Sequence, residues 1–264
     1  MRSMLRISLL LALLTSAVVM ESCNKVPITK RKQLSLIRES TMIEMAQTNY
    51  AQFLAEHPPL PPGDQRAERV KRVGDRIAEN VEKFLKENGA SKRIEGFKWQ
   101  FNTVDEPVVN AWCMPGGLVV VYTDILKLAG DDDDMLAVVM GHEIAHAIAR
   151  HGNERMSQSV GVKIGGAVLG ASTENNNLFL QSYGVASNLG MLAYSRKHET
   201  EADKLGLVFM ALAGYDPAKA VNFWEKMSDL GGEKPPAIVS THPSDDKRIQ
   251  DIKDFLPEIP KYLE

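Results

Sequence analysis

The sequence predicts an α+β fold, mainly helical, with one small β-sheet in its first half. Three observations carry this expectation. Apolar residues recur at helical spacing through much of the chain. Between Phe97 and Tyr122 the period switches to two, and aromatic and β-branched residues take over. Beyond Asp124 helical patterns return and continue, with breaks, to the C-terminus. The 264 residues, 44% hydrophobic and 25% charged, have ordinary globular composition and can bury a substantial core. A formal net charge of -3 without a dense basic patch gives no reason to expect nucleic acid as a partner.

The first residues read as a targeting segment. Arg2 and Arg6 precede an apolar run from Ile7 to Met20, the length of a signal-peptide core rather than a membrane span. Ser22 and Cys23 follow, resembling the lipobox of bacterial lipoproteins, so lipidation of Cys23 is expected. The alternative is an ordinary cleaved signal with Cys23 incidental. Cys113 is the only other cysteine, which leaves no disulfide framework. The expected organisation is a signal peptide over residues 1–22, a linker and helix over 23–64, and the main domain with a helical N-terminal extension over 65–264.

Each element has its own signal. Asn24–Lys32 is a polar stretch. Thr41–Glu56 reads as a helix ending before His57-Pro58-Pro59, and Leu60-Pro61-Pro62-Gly63 as a turn. Gln65–Asn88 is the clearest amphipathic helix, with Val70, Val73, Ile77, Val81 and Leu85 at spacings of three and four. Alternation at Phe97, Trp99 and Phe101 predicts a strand. Val108–Trp112 and Leu118–Tyr122 predict two more, either side of Pro115-Gly116-Gly117. Four acids, Asp131–Asp134, precede the helix Met135–Arg150; they lack calcium-loop spacing and suit the free N–H groups and dipole of its N-terminus. Val160–Ala171 is glycine-rich and too short to span a bilayer. Glu174–Asn177 reads as a loop, and Leu178–Ala193, Glu199–Ala213, Pro217–Leu230 and Ser244–Phe255 as helices.

The chemistry lies in His142-Glu143-Ile144-Ala145-His146. On a helix, residues four apart share a face, so both imidazoles can meet one metal ion, and Glu143 can act as general base toward a water there. Two histidines inside an apolar run also need a ligand to justify their burial. One Zn2+ is the expected cofactor, and a catalytic zinc takes three protein ligands. On a continuous helix His151 lies roughly 140° round from His146. It is therefore read as a helix C-terminal residue, with Gly152 as the stop. The third ligand is expected from Ser195–Asp203. Glu199 has Asp203 at i+4, which offers one carboxylate as ligand and another to take the outer N–H of a ligating histidine. Glu199 is preferred and Glu201 is the reserve. Lys197, His198 and Glu201 otherwise read as a solvated helix start.

HEIAHAIARHG, SRKHETEAD, THPSDDKRI and NAWCMPGG, across Phe97–Ile249, resemble the zinc metallopeptidase family that includes the CAAX prenyl proteases and the bacterial heat-shock membrane protease. They are most similar to its soluble outer-membrane lipoprotein members. The resemblance implies a zincin-like (gluzincin) domain whose edge strand lies beside the active-site helix. It implies His142, His146 and Glu199 as zinc ligands, Glu143 as base and Asp203 as the acid behind a ligand. Asn110, Ala111, Pro115, Gly116 and Gly117 would hold peptide substrate as an added strand. His242, a capping residue on its own evidence, would either stabilise the oxyanion or close onto zinc as a fourth ligand. Arg196 is a candidate for a similar electrostatic role or an ordinary salt bridge. The implied function is zinc-dependent endopeptidase action on periplasmic or outer-membrane proteins, with membrane contact only through the N-terminal lipid and envelope proteins as clients. The alternative is a latent zinc-containing chaperone or assembly factor with a self-inhibited site.

Overall fold

The computed structural model describes residues 23–164, 195–230, 237–238, 242 and 246–264. The expected signal peptide, the Glu174–Asn177 loop and the Leu178–Ala193 helix lie outside these residues. Helices dominate, and a three-stranded sheet sits in the first half, as the pattern predicts. No helix among the described residues is long and apolar enough to cross a membrane.

The polar stretch near the start is partly strand. β1 (Cys23–Lys25) and β2 (Lys32–Leu34) pair antiparallel across a short turn. Polar composition hides it, because a three-residue strand carries almost no periodicity. α1 (Glu39–Glu56) and α2 (Gln65–Glu87) follow. Asp64 caps α2, accepting from the Arg66 N–H at 2.8 Å. The expected stripe of α2, Val70 through Leu85, is wholly buried, and each such side chain contributes about 1.5–3 kcal/mol on burial.

The sheet is ordered β3-β5-β4, with β3 (Gln100–Val104) parallel to β5 (Leu118–Tyr122) and β4 (Ala111–Met114) antiparallel to it. Two strands begin later than expected. Phe97 and Trp99 lead into β3 and pack edge to face, with ring centroids 5.3 Å apart. Ahead of β4, the Asn110 side chain turns back to accept from the Ala111 N–H. Every residue of β4 and β5 is buried because both faces of the sheet are covered. Ala111, Cys113, Val119 and Val121 join the main core with α2. Trp112, Met114, Leu118, Val120 and Tyr122 face the other way onto Met42, Ala46, Tyr50 and Phe53 of α1.

α3 (Thr123–Ala129) leads to α4 (Asp133–Ala149), which packs against β4 and is buried almost throughout. Asp132 caps α4, taking the N–H groups of Asp134 and Met135. α4 ends earlier than the continuous pattern implies. Arg150 adopts the left-handed conformation at φ 58° and ψ 37°, and α5 (His151–Ile164) starts immediately after it. Gly152 is therefore inside a helix and stops nothing. α6 (Arg196–Leu212), α7 (Lys219–Asp229) and α8 (Asp246–Phe255) complete the body, followed by a 3-10 turn over Leu256–Tyr262.

α4 and α6 make the most extensive helix–helix contact of the fold. Glycines allow it. A Cβ on Gly206 would lie 2.9 Å from the His142 backbone N and 3.0 Å from Gly141 C, and one on Gly141 would lie 2.9 Å from Gly206 O. The two backbones touch here with no side chain between them.

Candidate metal centre

That close crossing brings two helical patterns together. His142, Glu143 and His146 come from α4. Glu199 and Asp203 come from the face of α6 that also carries Gly206, at i-7 and i-3 from it. All five are at least nine-tenths buried. His242, just ahead of α8, is buried beside them.

His142, His146, Glu199 and His242 each present one donor atom, and these atoms lie within 4.8 Å of one another. His142 Nε2 is 3.0 Å from His146 Nε2, and each is 3.4 Å from a Glu199 oxygen. His242 Nδ1 is 3.2 Å from His142 Nε2 and 3.1 Å from Glu199 Oε1. Four donors placed tetrahedrally at the usual Zn–N and Zn–O lengths would be separated by roughly 3.3 Å. The observed spacings bracket that value, and imidazole with carboxylate is a zinc donor set. The residues fit Zn2+.

Glu143 stands next to this set without joining it. Its Oε1 is buried and has no hydrogen-bond partner, with His242 Nε2 3.6 Å away. Burial pushes the Glu143 carboxyl up to about 7. Glu199 goes the other way: burial opposes ionisation, but His242, His142 and His146 hold it well below the usual carboxylate range.

Asp203 lies behind His142, with Oδ1 2.9 Å from His142 Nδ1. It is held in turn by Arg248, whose Nη2 and Nε donate to its two oxygens at 2.7 and 2.8 Å. Arg248 also reaches Glu199 Oε2 at 3.2 Å and lies over the Trp224 ring at 3.3 Å. Sequence reasoning assigned a candidate electrostatic role to Arg196, which is exposed at the start of α6. Among the described residues, Arg248 is the cation in contact with Glu199 and Asp203. Its signal was the last residue of the charged run Asp245–Arg248, four and seven positions before the buried Ile252 and Phe255 of the same helix, and the run reads as solvated.

The reading of His151 is also corrected. It does not face away from His146. The break at Arg150 resets the angular count, and His151 is fully buried with Nδ1 2.9 Å from His146 Nδ1. Its Nε2 is 2.9 Å from Glu201 Oε2. Glu201 and His198 are likewise buried rather than solvated. Burial would raise the Glu201 carboxyl, but His151, Arg31 and Thr29 hold it at about 2. Glu201 is outside the donor cluster.

Ala111 begins the edge strand β4, and Asn110 O accepts from the Tyr122 N–H at 3.1 Å. Just ahead of them, Val109 O accepts from the Ile238 N–H at 3.2 Å. Pro115, Gly116 and Gly117 form the β4–β5 turn. Both glycines have positive φ (86° and 81°), and a Cβ on Gly117 would strike the Trp99 ring at 2.6 Å.

An HExxH helix, a glutamate from a second helix and an antiparallel edge strand define a zincin-like metallopeptidase domain. Residues 64–256 match the family model of peptidase family M48, and the chain belongs to that family. It is similar to the mitochondrial metalloendopeptidase OMA1 of Schizosaccharomyces pombe, 33% identical over 246 residues that cover 88% of this chain and 66% of the relative. The Arabidopsis thaliana protein of the same name is 38% identical over 178 residues, 65% of this chain and 34% of the relative. The beta-barrel assembly-enhancing protease of Escherichia coli is 28% identical over 165 residues, 59% of this chain and 34% of the relative. The chain thus spans about a third to two thirds of the length of these relatives.

Proposed function

We propose that this chain is a zinc-dependent metalloendopeptidase acting on proteins of the bacterial cell envelope, held on the periplasmic side by a lipid on Cys23. The observation that carries the reading is the donor set: four buried side chains at zinc-like spacings, with an unpartnered Glu143 oxygen next to them. The relatives named as metalloendopeptidases support the activity. The one named for beta-barrel assembly supports envelope clients. The basic and apolar leader ahead of Cys23 supports export.

In this reading His142, His146 and Glu199 hold the ion. Bound Zn2+ would supply Lewis acidity, polarising the scissile carbonyl and acidifying a water. Glu143, whose carboxyl titrates near neutrality through burial, takes the proton of the attacking water and returns it to the leaving amine. Asp203 fixes the His142 tautomer, and Arg248 orients Asp203. Substrate lies extended along β4 at Asn110 and Ala111, with the Pro115–Gly117 turn at the far end of that strand. His242 stabilises the oxyanion once it withdraws from the donors.

The test joins metal analysis to casein cleavage, with wild type and Glu143→Gln side by side. Stoichiometric zinc with cleavage lost in the variant is expected; equal cleavage by both refutes the mechanism. Release of Cys23→Ser from membranes tests the anchor, and continued membrane association refutes it.

A second reading is favoured by one observation. His242 is close enough to supply a fourth donor, leaving no open position, as a latent assembly factor with a self-inhibited site would require. His242→Ala separates the two. Increased casein cleavage supports restraint by His242, and decreased cleavage with zinc retained supports the oxyanion role.

A further inference from the structure

His142 is braced from behind by a carboxylate and an arginine. His146 is braced differently. We propose that His151, Glu201 and Arg31 form a hydrogen-bonded relay that positions His146 for the metal and ties the donor set to the N-terminal strand pair.

The directions of the hydrogen bonds follow from one fact. His146 turns Nε2 toward the other donors, so its proton sits on Nδ1. That N–H donates to His151 Nδ1 at 2.9 Å, which makes His151 an acceptor there and puts its own proton on Nε2. His151 Nε2–H then donates to Glu201 Oε2 at 2.9 Å. Glu201 also accepts from Arg31 Nε at 2.8 Å and from the Thr29 hydroxyl. Each proton has one place along this path. Turning either ring over would set two lone pairs or two N–H groups face to face inside a dry interior.

A second set of contacts fixes the His151 ring from the side. It stacks on His198 with ring centroids 4.4 Å apart. His198 Nε2 lies 3.2 Å from Glu154 Oε2, and Glu154 takes the other two Arg31 nitrogens at 2.9 and 2.7 Å. One arginine between β1 and β2 thus holds both carboxylates that bracket the relay. Gln33 of β2 adds its amide to the Ala149 carbonyl at 2.7 Å, next to the break that puts His151 in place. His142–Asp203–Arg248 follows the same logic with one imidazole fewer. Both histidines that α4 contributes therefore end on a guanidinium, one from α8 and one from the N-terminal segment.

The inference rests on the zinc reading of the donor set, and the experiment separates the two. The full chain is loaded with zinc and titrated with a chromophoric chelator, and its Co2+-substituted form is followed by visible absorption. The variants are His151→Phe, which keeps the stack but removes the acceptor, and His151→Gln, which restores an acceptor oxygen. Glu201→Gln, the double variant His151→Phe/Glu201→Gln, and Arg31→Ala complete the set. Loss of a group orienting a ligand typically weakens metal binding about 10- to 100-fold, and that loss is expected for His151→Phe with a shifted cobalt spectrum. His151→Gln should recover most of the affinity, and the double variant should be no weaker than His151→Phe alone. Arg31, partly exposed, gives a reading even where His151→Phe fails to fold, and Arg31→Ala should weaken zinc binding in a folded chain.

Wild-type protein that takes up no zinc refutes the metal reading itself. Zinc-binding wild type with unchanged affinity and cobalt spectrum in His151→Phe, or in Arg31→Ala if only that variant folds, refutes the relay alone. Multiplicative losses in the double variant also refute it, because they would mean that His151 and Glu201 act by separate routes.

Discussion

Replacing Gly206 with alanine tests whether the spacing of α4 and α6 sets the metal site. The added Cβ would stand 2.9 Å from His142 N and 3.0 Å from both Gly141 C and His142 Cα, where ordinary contact begins at 3.4 Å. These are backbone atoms, so no rotamer change relieves the overlap. α6 must move off α4 by about half an ångström, which costs roughly 1–3 kcal/mol as overpacking. Alanine returns about 1 kcal/mol through helix propensity. The net is a loss of up to about 2 kcal/mol, or up to roughly 4–8 °C in Tm for a chain of this size. The functional effect should exceed the thermal one. Glu199 and Asp203 ride on α6 while His142 and His146 ride on α4, so the shift opens donor spacings now at 3.4 Å. A displacement of that order is enough to spoil a preorganised site. Zinc affinity should fall by about tenfold or more, read by chelator competition beside the Tm. A Gly206→Ala protein that melts higher than wild type and holds zinc equally well would refute the argument, because propensity alone would then explain the result.

Three further outcomes are expected. Asp203→Asn should keep the fold while zinc binding weakens about 10- to 100-fold in chelator competition, since the amide no longer fixes the His142 tautomer with a full charge. Glu154 is held at about 2 against an ordinary 4.5: burial opposes this, but His198 and Arg31 outweigh it. Its folded-state value is depressed, so its stabilisation is complete above 4.5 and is lost as pH falls toward 2. Glu154→Gln should therefore flatten the dependence of Tm on pH in that window. Chelation should lower the Tm of zinc-loaded protein and added zinc should restore it, with a shift that grows with free metal, as mass action on the folded state requires.

Much of the fold was legible because its signals are local. The α2 stripe, the change to period two and the HExxH pair each fit within one element, and the face shared by Glu199 and Asp203 within one turn. The parts that escaped depend on a break or on distance. His151 was assigned by counting angles along a helix that ends at Arg150, and one residue in the left-handed region is enough to turn the next side chain inward. Arg31 and Thr29 meet Glu201 across 170 and 172 positions, and nothing in a polar stretch announces such partners. His242 and Arg248 meet His142 across 100 and 106 positions, a separation that no local pattern reveals. The strand pair β1–β2 was too short to show a period. Charged residues near the site were read as solvated because surface exposure is their usual state; here mutual pairing allows them to be buried.

The sheet with two covered faces also bears on where the protein can be cut. The span that matches the family begins at residue 64, and a fragment trimmed there would retain every metal donor. It would nonetheless strip α1 from Trp112, Met114, Leu118 and Val120, baring an apolar surface next to an edge strand, a combination that invites aggregation. It would also take Arg31 from Glu154 and Glu201, leaving two buried carboxylates without their cation. The first forty described residues are thus a wall of the domain, and expression trials should treat them as part of the minimal folding unit.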